Sequence, residues 1–370
     1  MLLIMLYITT ILYGFLGRDK KYFWLWCALL FVLITNTSEN FADYNNYEMI
    51  FMRIAGGEKS IAYFGITKGW YYLNRIFYSL GLSYRGMHAI IVIISFYLLH
   101  RFVCTIMCKE SIFWGLFIVF PGLVQVVQLR FFLGTAIIFF SLGYFIRNEK
   151  WGLSKFAIGV LIASFVHLAC ALFAVFFLII LYEKMNIKKA VSITIMGVLI
   201  IILFISYVPP IVSRYIPRVK YERYFLSSIT TSSSTWLITI TLIWALSVLI
   251  GVFCMNKLKR CTAVLVDEEE ENIFADVIAP RMVKCIILLV LTLPLLLFDM
   301  NFHRFIEMGY MILYVLIARL WKRWRIKYQV KCWYLFLFLC CLVWVTDVYT
   351  PFKTIIKPFF SWSGFHSLLY

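Results

Sequence analysis

Three side chains that could take part in a chemical reaction lie within or beside apolar stretches of the sequence. Arg130 interrupts the run "VQLRFFLGTAIIFF", His167 lies in the apolar stretch 156–182, and Arg304 shortly precedes another apolar stretch. A guanidinium can pair with two phosphate oxygens at once, and an imidazole can accept a proton near neutral pH. These residue types suit a reaction on an anionic substrate. A lone arginine at a helix end can also snorkel to an interface, and a lone histidine can be an ordinary helix contact.

The composition indicates which solvent surrounds these side chains. Of the 370 residues, 63% are hydrophobic and only 14% are charged, and the mean hydropathy is +0.90. A soluble domain of this length needs roughly a quarter of its residues charged. Apolar stretches of about 17 to 25 residues suit helices that cross a hydrocarbon layer of about 30 Å. We therefore predict an all-α polytopic membrane protein with about ten to twelve transmembrane helices, a single transmembrane domain over 1–350 and a tail over 351–370.

The charge and the cysteines exclude other classes. The net charge of +17 does not indicate a nucleic-acid partner, because basic residues gather at the cytoplasmic ends of membrane helices. The ten cysteines form no CxxC pair, and those at Cys27, Cys104 and Cys170 lie in apolar runs, as small core residues do. Since the five histidines are scattered, we expect no metal site and no cofactor.

Most helices can be placed from the apolar runs. The predicted spans are 2–16, 22–36, 88–107, 111–128, 131–146, 190–208, 235–255, 282–298, 303–320 and 332–348. The stretch 156–182 is either one tilted crossing or a hairpin of two short helices. A hairpin, re-entrant around His167, keeps the basic cluster 319–327 on the cytoplasmic side, as the positive-inside tendency requires. We therefore predict the hairpin, with His167 at a cavity that opens outward.

This topology places several arginines on the outer side. Arg130 falls at the boundary between two spans, and Arg304 lies in the corner "FDMNFHRFIEMGY". The outer loop, about 209–234, carries three more arginines between tyrosines: Arg214, Arg218 and Arg223. Outward cations oppose the positive-inside tendency, so we expect them to bind an anionic partner such as a diphosphate. A solvated loop is the alternative for 209–234.

The first outer loop, about 36–88, is rich in aromatic residues and amides. Asp43, Tyr44 and Tyr47 belong to its "ADYNNY" motif. Aromatic faces pack on the CH groups of sugars while polar groups take the hydroxyls, so this loop is a candidate glycan surface. The aromatic residues of 61–80 also fit an interfacial amphipathic helix, and Asp43 is compatible with a helix N-cap.

Four motifs follow one another along the chain: "ADYNNY", "QLRFFLGTAIIFFSLGYF", "SFVHLACALF" and "NFHRFIEMGY". In order and spacing they resemble the EpsG-like branch of the Wzy-type polysaccharide polymerases, from about residue 36 to 320. The sequence departs from the family's pattern at Phe131, where glutamine is expected, and at Gly134, where alanine is usual.

The resemblance implies a polymerase at the outer face of a bacterial cytoplasmic membrane, facing the periplasm or the cell exterior. A glycan chain would leave its polyprenyl diphosphate, as in undecaprenyl-diphosphate-linked oligosaccharides, and join a sugar hydroxyl of an incoming repeat unit. His167 would be the general base, and Arg130 and Arg304 would stabilise the departing diphosphate. The implied substrate-binding residues are Asp43, Tyr44, Tyr47, Arg214, Arg218 and Arg223. Membrane lipid and a chain-length regulator protein are the other implied partners, and the product would be an O-antigen, capsule or exopolysaccharide.

Two other functions fit a similar helix count. A flippase or transporter of lipid-linked oligosaccharides, or of another anionic lipid, would bind the headgroup without chemistry, but two repeated halves are expected of many transporters and are absent from the sequence. A membrane acyltransferase would require a cytoplasmic acyl-donor site, whereas the predicted cytoplasmic loops are short. The polymerase is therefore the leading hypothesis.

Overall fold

The computed structural model describes residues 2–17, 20–37, 42–58, 67–106, 110–207, 214, 221–222, 234–262 and 272–323. These residues are predominantly helical and contain no strand, which confirms the predicted all-α membrane class. The predicted span 332–348 and the tail 351–370 lie outside the described residues. The total of about ten to twelve crossings and the single domain over 1–350 therefore stay predictions.

The described part of the chain has five helices long and apolar enough to cross a membrane: Tyr84–Ile106, Glu110–Val127, Leu129–Ile146, Leu237–Cys261 and Phe274–Leu297. Shorter apolar helices cover Leu3–Leu16, Phe23–Asn36, Gly152–Val166 and Leu168–Tyr182. Large apolar side chains are left exposed on several helices, among them Leu161 at 71% and Leu203 at 75%. Extended apolar surfaces of this kind face lipid, so the protein is a multi-pass membrane protein.

The chain divides into two units, and the described residues of unit 1 lie between 2 and 171. Its helices are α1 Leu2–Leu16, α2 Phe23–Thr37, α3 Ala42–Ala55, α4 Lys68–Ser79, α5 Tyr84–Ile106, α6 Glu110–Phe117, α7 Leu123–Val127, α8 Leu129–Ile146 and α9 Gly152–Val166. The first two agree with the predicted spans within about one residue, since an apolar run flanked by polar residues has few alternatives.

Aromatic side chains form the centre of unit 1. Phe96 stacks on Trp114 with ring centroids 5.1 Å apart, and it meets Phe117 and Phe132 edge-on at 5.6 and 5.7 Å. All four rings are fully buried. Such pairs contribute about 0.5–1.5 kcal/mol each beyond the burial of their area. The core therefore fixes α5, α6 and α8 against one another.

Three interruptions divide the apolar helices of unit 1. Phe120 and Pro121 have non-helical dihedral angles, Gln128 has φ −90° and ψ 53°, and His167 is extended at φ −143° and ψ 110°. Irregular backbone at membrane depth requires partners from the protein or from water. Tyr7 supplies one such partner, because its hydroxyl donates to the carbonyl of Ile118 at 2.5 Å. The predicted interruption within 156–182 is confirmed at His167, whereas the outward-opening hairpin stays a prediction.

The described residues of unit 2 lie between 172 and 323. Its helices are α10 Ile179–Tyr182, α11 Ile187–Leu203, α12 Ser234–Thr262, α13 Ala279–Leu288 and α14 His303–Arg323. A 3-10 helix, Leu289–Leu297, follows α13 and contains Pro294. α14 begins at the predicted residue, but it carries Arg304, Glu307 and Arg319 and is not among the five long apolar helices.

Polar contacts hold the helices of unit 2 at defined points. The indole nitrogen of Trp244 donates to the carbonyl of Ile286 at 2.9 Å, which joins α12 to α13. Arg281 pairs with Glu183, and Lys284 donates to the backbone carbonyl of the same glutamate at 3.0 Å. Because Arg281 and Lys284 are both buried, these contacts offset the cost of removing two cations from solvent.

The packing of α8 on α9 generates a prediction about stability. A Cβ atom added at Gly159 would lie 2.6 Å from the Cβ of Ser141, whereas one added at Gly86 would meet only ordinary contacts beginning at 3.5 Å. We expect Gly159→Ala to destabilise the protein by about 1–3 kcal/mol through overpacking. Gly86→Ala, the matched control, should leave stability unchanged or raise it, because alanine is the better helix former.

Thermal unfolding of the purified protein in detergent measures this difference. The double variant Gly159→Ala with Ser141→Gly should recover most of the lost stability, because it removes the opposing Cβ atom. Equal melting temperatures for Gly159→Ala and Gly86→Ala would contradict the close packing.

Candidate functional site

Arg130 is a half-buried cation at the start of α8. Its guanidinium carbon lies 5.3 Å from the centroid of the Tyr47 ring, in a cation–π contact. Within the described residues it has no carboxylate partner, and its buried Nε has no hydrogen-bond acceptor. An aromatic face attracts a cation far less than a carboxylate does. Arg130 is therefore still able to bind an anion.

Aromatic rings from three helices surround this contact. Tyr47 lies 5.9 Å from the fully buried Trp70 of α4. One helical turn earlier, Tyr44 packs at 5.4 Å from His88 and 4.9 Å from Tyr84, both of α5. We call these residues and Arg130 the Arg130 cluster; its members are Tyr44, Tyr47, Trp70, Tyr84, His88 and Arg130. Two stretches far apart in the sequence, the first predicted outer loop and the start of α8, thus meet in one unit.

Two buried amides occur next to the cluster, one on the short helix α7 and one at the residue that follows it. Gln125 is fully buried, and neither its oxygen nor its nitrogen has a hydrogen-bond partner among the described residues. Gln128 is 6% exposed, and its side-chain oxygen is likewise unpartnered there. The backbone of Val126, beside Gln125, interacts with the buried ring of His88. An unpaired buried amide costs about 1–3 kcal/mol, so a partner that completes these bonds is expected.

His167 forms the break that ends α9. Its ring is half-buried and meets Phe131 edge-on, with centroids 5.6 Å apart. Its backbone is fixed at both ends, since its N–H donates to Ala163 and its carbonyl accepts from Cys170, each at 2.8 Å. Phe131 directly follows Arg130 in α8, so the break at His167 packs against the same helix that carries Arg130.

The segment preceding α4 supports the same break. The Thr67 hydroxyl donates to the carbonyl of Val166, the last residue of α9. Gly69 allows the two backbones to approach, because a Cβ atom there would lie 2.7 Å from the carbonyl carbon of Phe165. The polar backbone at the end of α9 is thus satisfied by the predicted outer loop.

Arg304 lies in a separate polar cluster in unit 2, at the start of α14. Its Nη2 donates to the side-chain oxygen of Asn301 at 2.7 Å, and the Asn301 amide donates to Asp299 at 2.8 Å. His303 and Glu307 pair at 2.9 Å. Within the described residues no carboxylate lies within ion-pair distance of Arg304, which is oriented by a neutral amide and keeps its charge available.

The remaining predicted residues have varied positions. Asp43 lies in the first turn of α3, which begins at Ala42, so it is a helical residue and not the cap that precedes the helix. Arg214 is exposed in a turn. Arg218 and Arg223 lie outside the described residues.

Several residues of the site were not identified from the sequence. Trp70 belongs to the stretch 61–80, for which a glycan surface and an interfacial helix are the two interpretations, and its fully buried position against Tyr47 is not predicted by either. Gln125 and His88 received no role. Both are polar residues in predicted spans, which is the signal that could have found them, since polar groups in a membrane usually face partners or cavities.

Comparison with known proteins identifies the family of the chain. The chain matches the EpsG family over residues 20–360. No curated protein and no solved structure matches the chain. Because the family match covers most of its length, the chain belongs to the EpsG family, whose members are membrane proteins of polysaccharide biosynthesis.

Proposed function

We propose that the protein polymerises lipid-linked oligosaccharide repeat units at the outer face of the bacterial cytoplasmic membrane. It transfers a glycan chain from polyprenyl diphosphate to a sugar hydroxyl of an incoming repeat unit. The observation that carries the proposal is Arg130, a half-buried cation held on an aromatic ring without a counter-charge in the described chain. A diphosphate supplies the missing charge and pairs with the fork of the guanidinium.

The reaction breaks the bond between the anomeric carbon and the diphosphate oxygen. The electron pair of this bond stays on the leaving diphosphate, whose negative charge increases. A guanidinium that is already in place stabilises this charge more in the transition state than in the ground state. Arg130 is our candidate in unit 1, and Arg304 is the candidate in unit 2. Arg214, Arg218 and Arg223 would assist in holding the headgroup.

The attacking sugar hydroxyl must lose a proton as the new glycosidic bond forms. We assign this proton to His167 as general base. Its half-buried ring and its fixed backbone support this assignment, because a base must be held in place and still reach the substrate.

The acceptor glycan would bind along the first predicted outer loop. Asp43 and Tyr47 could take sugar hydroxyls and CH groups. The ring of Tyr44 is enclosed, and its hydroxyl donates to Asn36 at 3.1 Å, so a role in supporting Tyr47 suits it better than direct stacking. The unpartnered amide of Gln125 is a further candidate for a sugar hydroxyl.

Arg130 variants test whether this cation is required for polymerisation. In a strain whose surface polysaccharide requires this protein, we expect Arg130→Gln to reduce polymerisation by about 10²–10³-fold, the loss typical when one stabilising donor is removed. Arg130→Lys should retain part of the activity, because it keeps the charge but not the fork. Electrophoresis of the polysaccharide should show single repeat units in place of long chains.

Arg75→Gln is the matched control, because Arg75 is exposed on α4 of the same unit. It should leave chain length unchanged at equal membrane levels. Normal chain length in Arg130→Gln would contradict the proposal. Accumulation of repeat units on the cytoplasmic side would indicate a flippase instead.

A substitution at Gln125 separates function from stability. Gln125→Met removes a buried amide that lacks partners in the described chain, so we expect an unchanged or higher melting temperature together with shorter polysaccharide. Thr35→Val is the control, because the Thr35 hydroxyl is buried but bonded within its own helix at 2.8 Å. A destabilised Gln125→Met protein with normal chain length would show that the amide has a structural role only.

His167→Ala should also leave single repeat units, since no group at that position then accepts the proton. Added imidazole should partly restore chain length if the missing group is a base. His303→Ala provides the comparison. Loss of polymer in His303→Ala alone, with His167→Ala active, would transfer the role of the base to His303 and contradict our assignment.

A further inference from the structure

A second polar group of unit 1 lies where α5 ends and α6 begins. His100 and Cys104 belong to α5, and Glu110 is the first residue of α6. One Glu110 oxygen lies 3.0 Å from the His100 Nδ1 atom and the other lies 3.1 Å from the Cys104 sulfur. The sulfur is 3.6 Å from the same His100 nitrogen. A nitrogen, a sulfur and a carboxylate thus converge within 4.8 Å of one another.

The helices position these three groups closely. His100 and Cys104 are separated by one helical turn, so they share a face of α5. Trp24 of α2 stacks on the His100 ring, with centroids 5.1 Å apart and planes 18° apart, and so limits its rotation. The side chains of His100 and Glu110 are only 13% and 21% exposed. The group is therefore organised before any ligand arrives.

We propose that His100, Cys104 and Glu110 bind a zinc-type divalent metal ion. A tetrahedral zinc ion, with bonds of about 2.0 Å to nitrogen and oxygen and 2.3 Å to sulfur, sets its ligand atoms about 3.3–3.6 Å apart. The distance of 3.6 Å between the His100 nitrogen and the Cys104 sulfur falls in that range. The Glu110 carboxylate approaches the nitrogen with one oxygen at 3.0 Å and the sulfur with the other at 3.1 Å, so either oxygen can turn toward an ion. Small side-chain adjustments therefore suffice for an ion to enter.

The chemistry of the ligands selects the class of metal. Thiolate and imidazole favour zinc over magnesium and calcium, which prefer oxygen ligands. On binding, the Cys104 thiol releases its proton to solvent and forms the metal–sulfur bond. One thiolate and one carboxylate then balance the two positive charges of the ion. The neutral complex suits a partly buried position better than an isolated ion would.

The location of the site is compatible with a reduced thiol. Arg101 directly follows His100, and Arg147 donates to the carbonyl of Thr105 at 2.7 Å, so basic residues gather at this end of unit 1. Their abundance predicts the cytoplasmic side, where thiols stay reduced. The bound ion would link the end of α5 to the start of α6, and the three ligands found among the described residues leave a fourth position on a tetrahedral ion.

Cobalt binding to the purified full-length protein tests the site. After treatment with a chelator, titration with Co²⁺ should produce visible tetrahedral bands and a thiolate charge-transfer band, saturating at one ion per chain, and Zn²⁺ should remove both. Cys104→Ser should lose the charge-transfer band, and Glu110→Gln should weaken binding by about 10-fold or more. His100→Cys should retain binding with a stronger charge-transfer band, which keeps the test informative if another variant is unstable.

Cys261→Ser is the thiol control, because Cys261 belongs to α12. It should retain the cobalt spectrum of the unsubstituted protein. Zn²⁺ should raise the melting temperature of the unsubstituted protein but not that of Cys104→Ser. A protein without a charge-transfer band, or a Cys104→Ser variant with the band unchanged, would overturn the proposal.

Discussion

Hydrocarbon offers no hydrogen bonds, and this constraint governs where the helices of the protein can be interrupted. Each break in unit 1 must find partners for its backbone within the protein. Tyr7 supplies a donor for the carbonyl of Ile118, and Thr67 supplies one for the carbonyl of Val166. The breaks therefore occur where another helix or loop already lies against the chain, and they depend on the packing of the whole unit.

The side chains that we propose to bind the substrate or to react with it lie beside these interruptions. Arg130 follows the irregular Gln128 by two residues, Gln125 belongs to the short helix between two breaks, and His167 is itself extended. Keeping Gln125 unpaired costs about 1–3 kcal/mol. A substrate that forms hydrogen bonds with the Gln125 amide would offset this cost, which is consistent with the proposed polymerase.

The sequence predicted the helices well and the site in part. Apolar runs determine α1 and α2 because few alternative spans exist, and the clustering of Asp299, His303 and Arg304 followed from their proximity in the chain. The contact of Arg130 with Tyr47 joins residues more than eighty positions apart, and no local pattern specifies it. Pro121 is a visible signal for one break, but the irregular Gln128 has no such signal. The i, i+4 pair His100 and Cys104 could be seen, whereas the place of Glu110 depends on how α6 starts.

Helix α4 has two contrasting faces. Gly69 and Trp70 are buried, while Tyr72, Ile76 and Tyr78 are each about half exposed, as in a helix that rests among lipid headgroups. Thr67 and Gly69 contact the backbone at the end of α9 directly, without a long flexible side chain between them. A displacement of α4 relative to α9 would therefore change the contacts at the peptide next to His167. The orientation of this imidazole thus depends on how α4 packs against the end of α9.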